Sequence, residues 1–160
     1  MTKGEMTMDS DTWAEYPLRW AQLTLVENDP ETFDPDFWLS YFERVRAQGV
    51  CLSAGGYVCY YPTEIPFHHR SAWMGDTDPF GTLAEGCRGR GMVVLARTDP
   101  HAVHQDVYDA HPDWVASDPD GSPRRHWSMP EAWVTCALGP YNFEYMTELH
   151  REIVQRYDVQ

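Results

Sequence analysis

The chain has 160 residues, which is enough for one domain with a substantial core and too few for two comfortable domains. Its hydrophobic fraction of 42% and charged fraction of 23% are typical of globular proteins and exclude a disordered or fibrous chain. The net charge of −13 argues against nucleic acid or an anionic membrane surface as a partner, because binding to phosphate groups requires an excess of Lys and Arg.

The sequence contains no run of 18 apolar residues, and its first residues lack the layout of a signal peptide. We therefore expect a cytoplasmic protein that does not cross a membrane. Residues 1–15 are polar and are expected to form a flexible tail, so that the folded domain would extend over residues 16–160.

The first half of the domain predicts a strand, a helix and a second strand. A strand is expected at Arg19–Val26. Asp34 followed by Pro35 is a strong helix start, and Gly49 is predicted to close that helix. The second strand is expected at Val50–Ala54 and leads into a long loop.

The second half repeats this pattern. The pair Asp78–Pro79 predicts another helix start, and Gly89 is expected to end that helix. Met92–Ala96 reads as a buried strand, and a long irregular segment is expected over residues 98–140. Tyr141–Tyr157 predicts an amphipathic helix whose apolar side consists of Phe143, Met146, Leu149, Ile153 and Val154.

Apolar strands that alternate with helices predict an α/β fold of right-handed βαβ units with a parallel sheet. Ligands of such folds bind at the carboxyl ends of the strands, in the loops that lead into the helices. In this sequence those loops are long, whereas the loops from helix back to strand are short. The pattern therefore predicts a functional site on the face that carries the long loops.

Ionisable residues are concentrated after the third predicted strand, where Arg97, Asp99, His101 and His104 lie within eight residues. One hypothesis is a metal site formed by Asp99, His101 and His104, because carboxylate and imidazole groups at short spacing can share an ion. A second is a sugar site, since sugars need polar groups for their hydroxyls and aromatic faces for their rings. The simplest alternative is that these groups hydrogen-bond only to one another.

Several motifs are missing from the sequence. The glycine-rich segment at Gly55–Gly56 does not continue into a phosphate-binding pattern, and no G-x-S-x-G nucleophile elbow occurs. These absences argue against nucleotide binding and against an α/β-hydrolase. The residues predict no cofactor.

Three stretches of the sequence carry a resemblance to known proteins: RWAQLTLVENDP, the segment from FDPDFW to IPFHH, and GMVVLARTDPHAVHQDVYDAHPDWVASDPDG. Together they resemble hypothetical glycosyl hydrolase families, whose catalytic domain is a TIM barrel related to the α-L-fucosidase, α-amylase and β-galactosidase barrels. The resemblance covers about residues 16–160, and its most specific parts are Arg97-x-Asp99, the His111–Trp114 segment and the turn at Asp118–Gly121. It implies that Arg97, Asp99, His101 and His104 contact the sugar or orient the catalytic carboxylates, with Tyr57 and Trp114 as walls.

A complete barrel has eight strand–helix units in about 250 residues, whereas this sequence supplies three. The resemblance therefore implies an incomplete (β/α)8 barrel. In related barrels the catalytic carboxylates follow the fourth and later strands. We accordingly expect a truncated glycoside hydrolase that acts on carbohydrate but is inactive alone, and that associates with itself or with the remainder of the barrel.

Two other functions stay open at this point. The chain could be a small α/β carbohydrate-binding or interaction domain without catalysis. It could also be a metal-dependent hydrolase that uses Asp99, His101 and His104.

Overall fold

Three parallel strands form the central sheet of the computed structural model, which describes residues 19–159. The strands β1 (Trp20–Leu23), β2 (Gly49–Gly56) and β3 (Val93–Asp99) lie in the order β1-β2-β3. Both strand pairs are parallel. The predicted tail over residues 1–15 lies outside the described residues.

Helices α1 (Pro35–Arg44) and α2 (Pro79–Arg88) connect these strands. After β3 come the short helix α3 (Gln105–Ala110) and the last helix, α4 (Met146–Tyr157). Both predicted helix starts are confirmed. The side chain of Asp34 accepts a hydrogen bond from the Phe37 N–H at 3.1 Å, and Asp78 accepts one from the Gly81 N–H at 2.8 Å. These bonds satisfy backbone donors that a helix cannot satisfy internally. The predicted fold class, parallel β/α units of an incomplete barrel, is confirmed.

The prediction that Gly49 closes α1 is wrong. The helix ends at Arg44, and Arg46 then turns the chain with a positive φ of 56°. Gly49 is instead the first residue of β2, where a Cβ atom would lie 2.6 Å from the indole ring of Trp20. Glycine is therefore needed there for a close contact between strands.

The segment between β3 and α4 is more ordered than predicted, and we call residues 100–140 the insertion. It contains the helix α3 (Gln105–Ala110), a short 3-10 helix at Pro112–Trp114 and an antiparallel pair, β4 (Ala102–Val103) with β5 (Trp133–Val134). Two-residue strands and single-turn helices are too short to leave a periodic pattern in a sequence. This is why the segment reads as irregular.

The core lies between the sheet and its helices. Alternate residues of β2 point into it, and they meet Phe42 of α1, Leu83 of α2 and Leu149 of α4. The buried side of α4 consists of Met146, Leu149, Ile153 and Tyr157.

Two residues predicted for the buried side of the last helix are exposed instead. Phe143 is 66% exposed and Val154 is 53% exposed. The helix opens with a π-helical turn at Tyr141–Tyr145, which rotates Phe143 away from the side that α-helical spacing predicts. Among residues 19–159, no helix is both long and apolar enough to span a membrane.

Candidate functional site

A cavity of about 320 Å³ opens at the carboxyl ends of the three parallel strands. We call it the rim cavity. Residues 24–27 line it from the end of β1, Arg97 and Asp99 line it from β3, and His101 lines it from just beyond β3. From β2 and its loop come Ser53, Gly55, Tyr57, Val58 and Tyr60, and the insertion contributes Met129. Its size is suitable for a small ligand.

Strand register brings these side chains together. Ser53 of β2 is the partner of Arg97 on β3, and Gly56 is the partner of Asp99. Side chains at alternate positions share one face of a sheet, so Arg97 and Asp99 point to the same side, away from the helices. Ser53 also fixes the end of β1, because its hydroxyl accepts a hydrogen bond from the Leu25 N–H at 3.1 Å.

The carboxylate of Asp99 lies between a guanidinium group and an imidazole group. The Arg97 Nη2 lies 3.1 Å from Asp99 Oδ2, and the His101 Nδ1 contacts Asp99 Oδ1. All three side chains are roughly a third exposed at the cavity. The arrangement fixes Arg97 and His101 while leaving their remaining polar atoms available to a ligand.

Tyr57 forms one wall of the rim cavity, and His104 supports it from behind. The two rings are stacked with centroids 4.0 Å apart and an angle of 11° between planes. The His104 Nε2–H donates to the Tyr57 carbonyl at 2.9 Å. Burial, together with the neighbouring His69, lowers the pKa of His104, which favours the neutral form of this histidine. His104 thus positions Tyr57 and is not among the lining residues.

Trp114 lies elsewhere. Its indole stacks on the His111 ring at 4.0 Å and packs against Tyr145. It faces a separate surface that also includes Phe143 and Glu148. The structure therefore brings Tyr57, Arg97, Asp99 and His101 together and does not bring Trp114 to them.

Sequence reasoning missed Glu27 and Met129. Glu27 follows the first predicted strand directly, so its position at a strand end was a usable signal. Its carboxylate makes no hydrogen bond or ion pair with another described residue. The Tyr60 hydroxyl donates to the Leu25 carbonyl at 3.0 Å, which fixes the tyrosine against β1. No sequence signal indicates Met129, which comes from the distant insertion.

A chain of hydrogen bonds anchors the loop that follows β2. Glu152 of α4 accepts hydrogen bonds from the Tyr61 hydroxyl at 2.7 Å, the Thr63 hydroxyl at 2.6 Å and the Glu64 N–H at 2.7 Å. Burial acts to raise the pKa of Glu152, but these hydrogen bonds outweigh it and hold that pKa below its ordinary value. The loop that carries Tyr57 is therefore tied to α4.

The same network reaches the end of β2 through His68. Its Nε2 accepts a hydrogen bond from the Gly56 N–H at 3.2 Å, so its proton is on Nδ1, which donates to Thr63 Oγ1 at 3.2 Å. Burial lowers the pKa of His68 to about 4, which keeps it in this neutral form. The network thus connects α4 to the backbone beside Asp99.

The hypothesis of a metal site at Asp99, His101 and His104 gains no support from the geometry. The Nδ1 of His101 contacts Asp99, whereas the Nε2 of His104 is occupied by the Tyr57 carbonyl. Within the described part of the chain, no three or more His, Cys, Asp or Glu side chains are grouped so that they could hold a metal ion.

Solved glycosidase structures share this fold. An α-L-fucosidase isoenzyme 2 from Paenibacillus thiaminolyticus matches 88% of this chain with a TM-score of 0.66 and 18% identity. An α-amylase from Lactobacillus plantarum matches 86% with a TM-score of 0.58 and 14% identity. The α-galactosidase TtGalA from Thermus thermophilus matches 87% with a TM-score of 0.55 and 18% identity. At these identities the likeness shows the fold alone.

The chain spans only part of these proteins. The matches cover 22% of the fucosidase, 36% of the amylase and 30% of the galactosidase. Among curated proteins, none matches this sequence.

The amino-acid sequence itself also matches a protein family. Residues 35–160 match the family described as Hypothetical glycosyl hydrolase 6. This match covers most of the chain and includes β2, β3 and the insertion. The chain therefore belongs to the Hypothetical glycosyl hydrolase 6 family.

Proposed function

We propose that the rim cavity binds a sugar and that the chain is the sugar-contacting part of a glycoside hydrolase. The observation that carries this proposal is the convergence of Arg97, Asp99 and His101 on one cavity with Tyr57 as its wall. Fixed polar groups suit sugar hydroxyls, and an aromatic face suits the apolar side of a sugar ring. The family and the glycosidase fold support the same function.

Each residue has a distinct role in this proposal. Arg97 and His101 contact sugar hydroxyls, and Asp99 fixes both of them. Glu27 supplies a further acceptor from the opposite strand, and His104 holds Tyr57 in place. The proposed site excludes Trp114, whose ring packs against Tyr145.

The proposal gives Asp99 the role of positioning Arg97 and His101 and no part in proton transfer. Hydrolysis of a glycoside needs two carboxyl groups about 5 to 10 Å apart, one of which transfers a proton. Both oxygens of Asp99 already face Arg97 and His101. We therefore expect the described residues to bind a sugar without cleaving its glycosidic bond.

Calorimetric titration of the full chain tests this function. The probes are L-fucose, D-galactose and D-glucose, the sugars that the names of the similar structures suggest. We expect one of them to bind and Asp99→Asn to weaken that binding at least tenfold, which corresponds to about 1.4 kcal/mol. Asp36→Asn is the matched control, because Asp36 is exposed on α1 and its substitution removes the same single negative charge. No binding of any probe, or equal binding by both variants, would contradict the proposal.

We also propose that the chain self-associates. The sheet ends in β3 on one side, and among residues 19–159 no further strand pairs with the outer edge of β3. Phe37 and Tyr41 of α1, together with Val45 directly after it, form an exposed apolar stripe. Open strand edges and apolar patches favour association. Light scattering over a range of concentrations should show a rising mean mass, and a constant monomer mass would refute association.

A further inference from the structure

An exposed tryptophan lies beside the rim cavity. Trp127 is 79% exposed, and its ring stacks on that of His126 with centroids 3.8 Å apart. His126 lies 5.0 Å from His101, which lines the cavity, and Trp127 itself is 6.2 Å from His101. The three rings therefore form a compact cluster that joins the cavity wall at His101 to the exposed indole of Trp127.

The turn that carries Trp127 is fixed in place. His126 is only 5% exposed, and its Nδ1 accepts hydrogen bonds from the Ser128 N–H at 3.3 Å and the Met129 N–H at 3.2 Å. The Ala132 N–H closes the turn by donating to the Met129 carbonyl at 2.9 Å. Met129 itself lines the rim cavity, so the same turn forms part of the cavity wall and presents the indole at its edge.

The insertion beneath this turn is also held firmly. The Arg125 guanidinium lies 3.3 Å from the centre of the Trp133 ring, and Trp133 donates to the Gln105 side chain at 3.0 Å. These contacts attach the turn to β5 and to the start of α3. An indole that is held in place yet exposed loses little conformational entropy when a ligand covers it.

We propose that Trp127 forms a second sugar subsite, against which the next ring of an oligosaccharide stacks when its first ring occupies the rim cavity. This inference rests on the proposed sugar binding and adds the substrate class: a saccharide of at least two rings instead of a free monosaccharide. A flat aromatic face matches the apolar face of a sugar ring. His101 adjoins both positions, since it lines the cavity and its ring centre lies 6.2 Å from that of Trp127.

Paired titrations of the full chain test the subsite. Each monosaccharide is compared with an oligosaccharide that contains it: L-fucose with an α-L-fucosyl disaccharide, D-galactose with stachyose, and D-glucose with maltotriose. For the sugar that binds, we expect the oligosaccharide to bind about tenfold more tightly than its monosaccharide. Trp127→Ala should abolish this advantage without changing the affinity for the monosaccharide, and Trp127→Phe should keep most of it.

A control and a second readout keep the outcome clear. Phe143→Ala removes another exposed aromatic side chain on a different surface and should leave the oligosaccharide advantage intact. Oligosaccharide binding should shift the tryptophan emission to shorter wavelength in the wild type and not in Trp127→Phe. Because Trp127 is exposed, the circular dichroism spectra of its variants should match that of the wild type.

The outcomes separate this inference from the proposed function. A monosaccharide that binds as tightly as its oligosaccharide overturns the second subsite and leaves the sugar site standing. An oligosaccharide advantage that persists in Trp127→Ala also overturns it. The same holds if Trp127→Ala changes self-association but leaves the affinity for the oligosaccharide unchanged. If no saccharide binds at all, the proposed function fails, and the subsite fails with it.

Discussion

The backbone of Gly56 lies directly against that of Asp99. A Cβ atom on Gly56 would be 2.2 Å from the Asp99 carbonyl oxygen, and Gly56 has a φ of +125°. The next N–H along the chain, that of Tyr57, donates to the same carbonyl at 3.1 Å. The wall of the rim cavity and its central carboxylate are thus fixed to each other through the main chain.

We expect Gly56→Ala to destabilise the fold and to weaken sugar binding. The added methyl group would push β2 and β3 apart beside Asp99, at a cost of about 2 to 3 kcal/mol in the free energy of unfolding. Gly75→Ala is the matched control, because Gly75 also has a positive φ of +55° but nothing lies within 4 Å of its added Cβ. Urea denaturation of both variants checks the prediction, and equal losses would contradict it.

Glu27→Gln should weaken sugar binding without loss of stability. The carboxylate faces the rim cavity and has no hydrogen-bond or ion-pair partner among the described residues, so its replacement by an amide breaks no such contact among them. Glutamine still offers a carbonyl acceptor but lacks the negative charge, and weakening a charge-assisted hydrogen bond in this way corresponds to about 1 kcal/mol, or roughly fivefold in affinity. Calorimetry with the sugar that binds measures this effect. Glu31→Gln, an exposed residue outside the cavity, should bind like the wild type.

The free energy of unfolding should fall as the pH is lowered from 6.5 towards 4. Burial lowers the pKa of His68 from 6.5 to about 4, so in this window the unfolded chain binds a proton that the folded chain does not. The loss amounts to at most about 3 kcal/mol for one group. His104, whose pKa burial also lowers, acts in the same direction.

His68→Gln tests this assignment, because a glutamine can accept the Gly56 N–H and does not titrate in this range. Urea denaturation at several pH values should show a shallower pH dependence for this variant than for the wild type. Parallel curves for the two proteins would show that His68 is not the group responsible.

Thr63→Val should destabilise the protein by about 2 to 3 kcal/mol. The Thr63 hydroxyl donates to Glu152 and accepts from His68 and from the Ile65 N–H at 3.1 Å, so its removal leaves buried polar groups without a partner. Thr147→Val on α4 is the control, since its exposed hydroxyl bonds only to the Phe143 carbonyl of its own helix. Thermal unfolding should separate the two variants clearly, and a similar melting temperature for both would refute the role of Thr63.

Local signals in the sequence were sufficient to predict the parallel sheet and much of the site. The pairs Asp34–Pro35 and Asp78–Pro79 begin the first two helices as expected, because a carboxylate cap and a proline act within one turn. Arg97, Asp99 and Tyr57 meet at one cavity because the carboxyl ends of parallel strands lie at the same edge.

The remaining parts of the site depend on contacts that no local pattern reveals. His104 lies behind Tyr57 because α3 begins next to it and directs its ring onto the tyrosine. Trp114 lies in a 3-10 helix that packs against the π-helical turn before α4, which takes it away from the cavity. Met129 reaches the cavity only through the β4–β5 pairing, between residues about 30 positions apart.

Mapping of backbone amide shifts during titration with the sugar that binds tests the central claim most directly. If the rim cavity is the sugar site, the largest shifts in the nitrogen–proton correlation spectrum belong to residues 24–27, 53–60 and 97–101. These segments lie at the ends of three different strands and come together only at the cavity. Shifts centred instead on the surface that includes Trp114 and Glu148, or no shifts at any residue, would contradict the account.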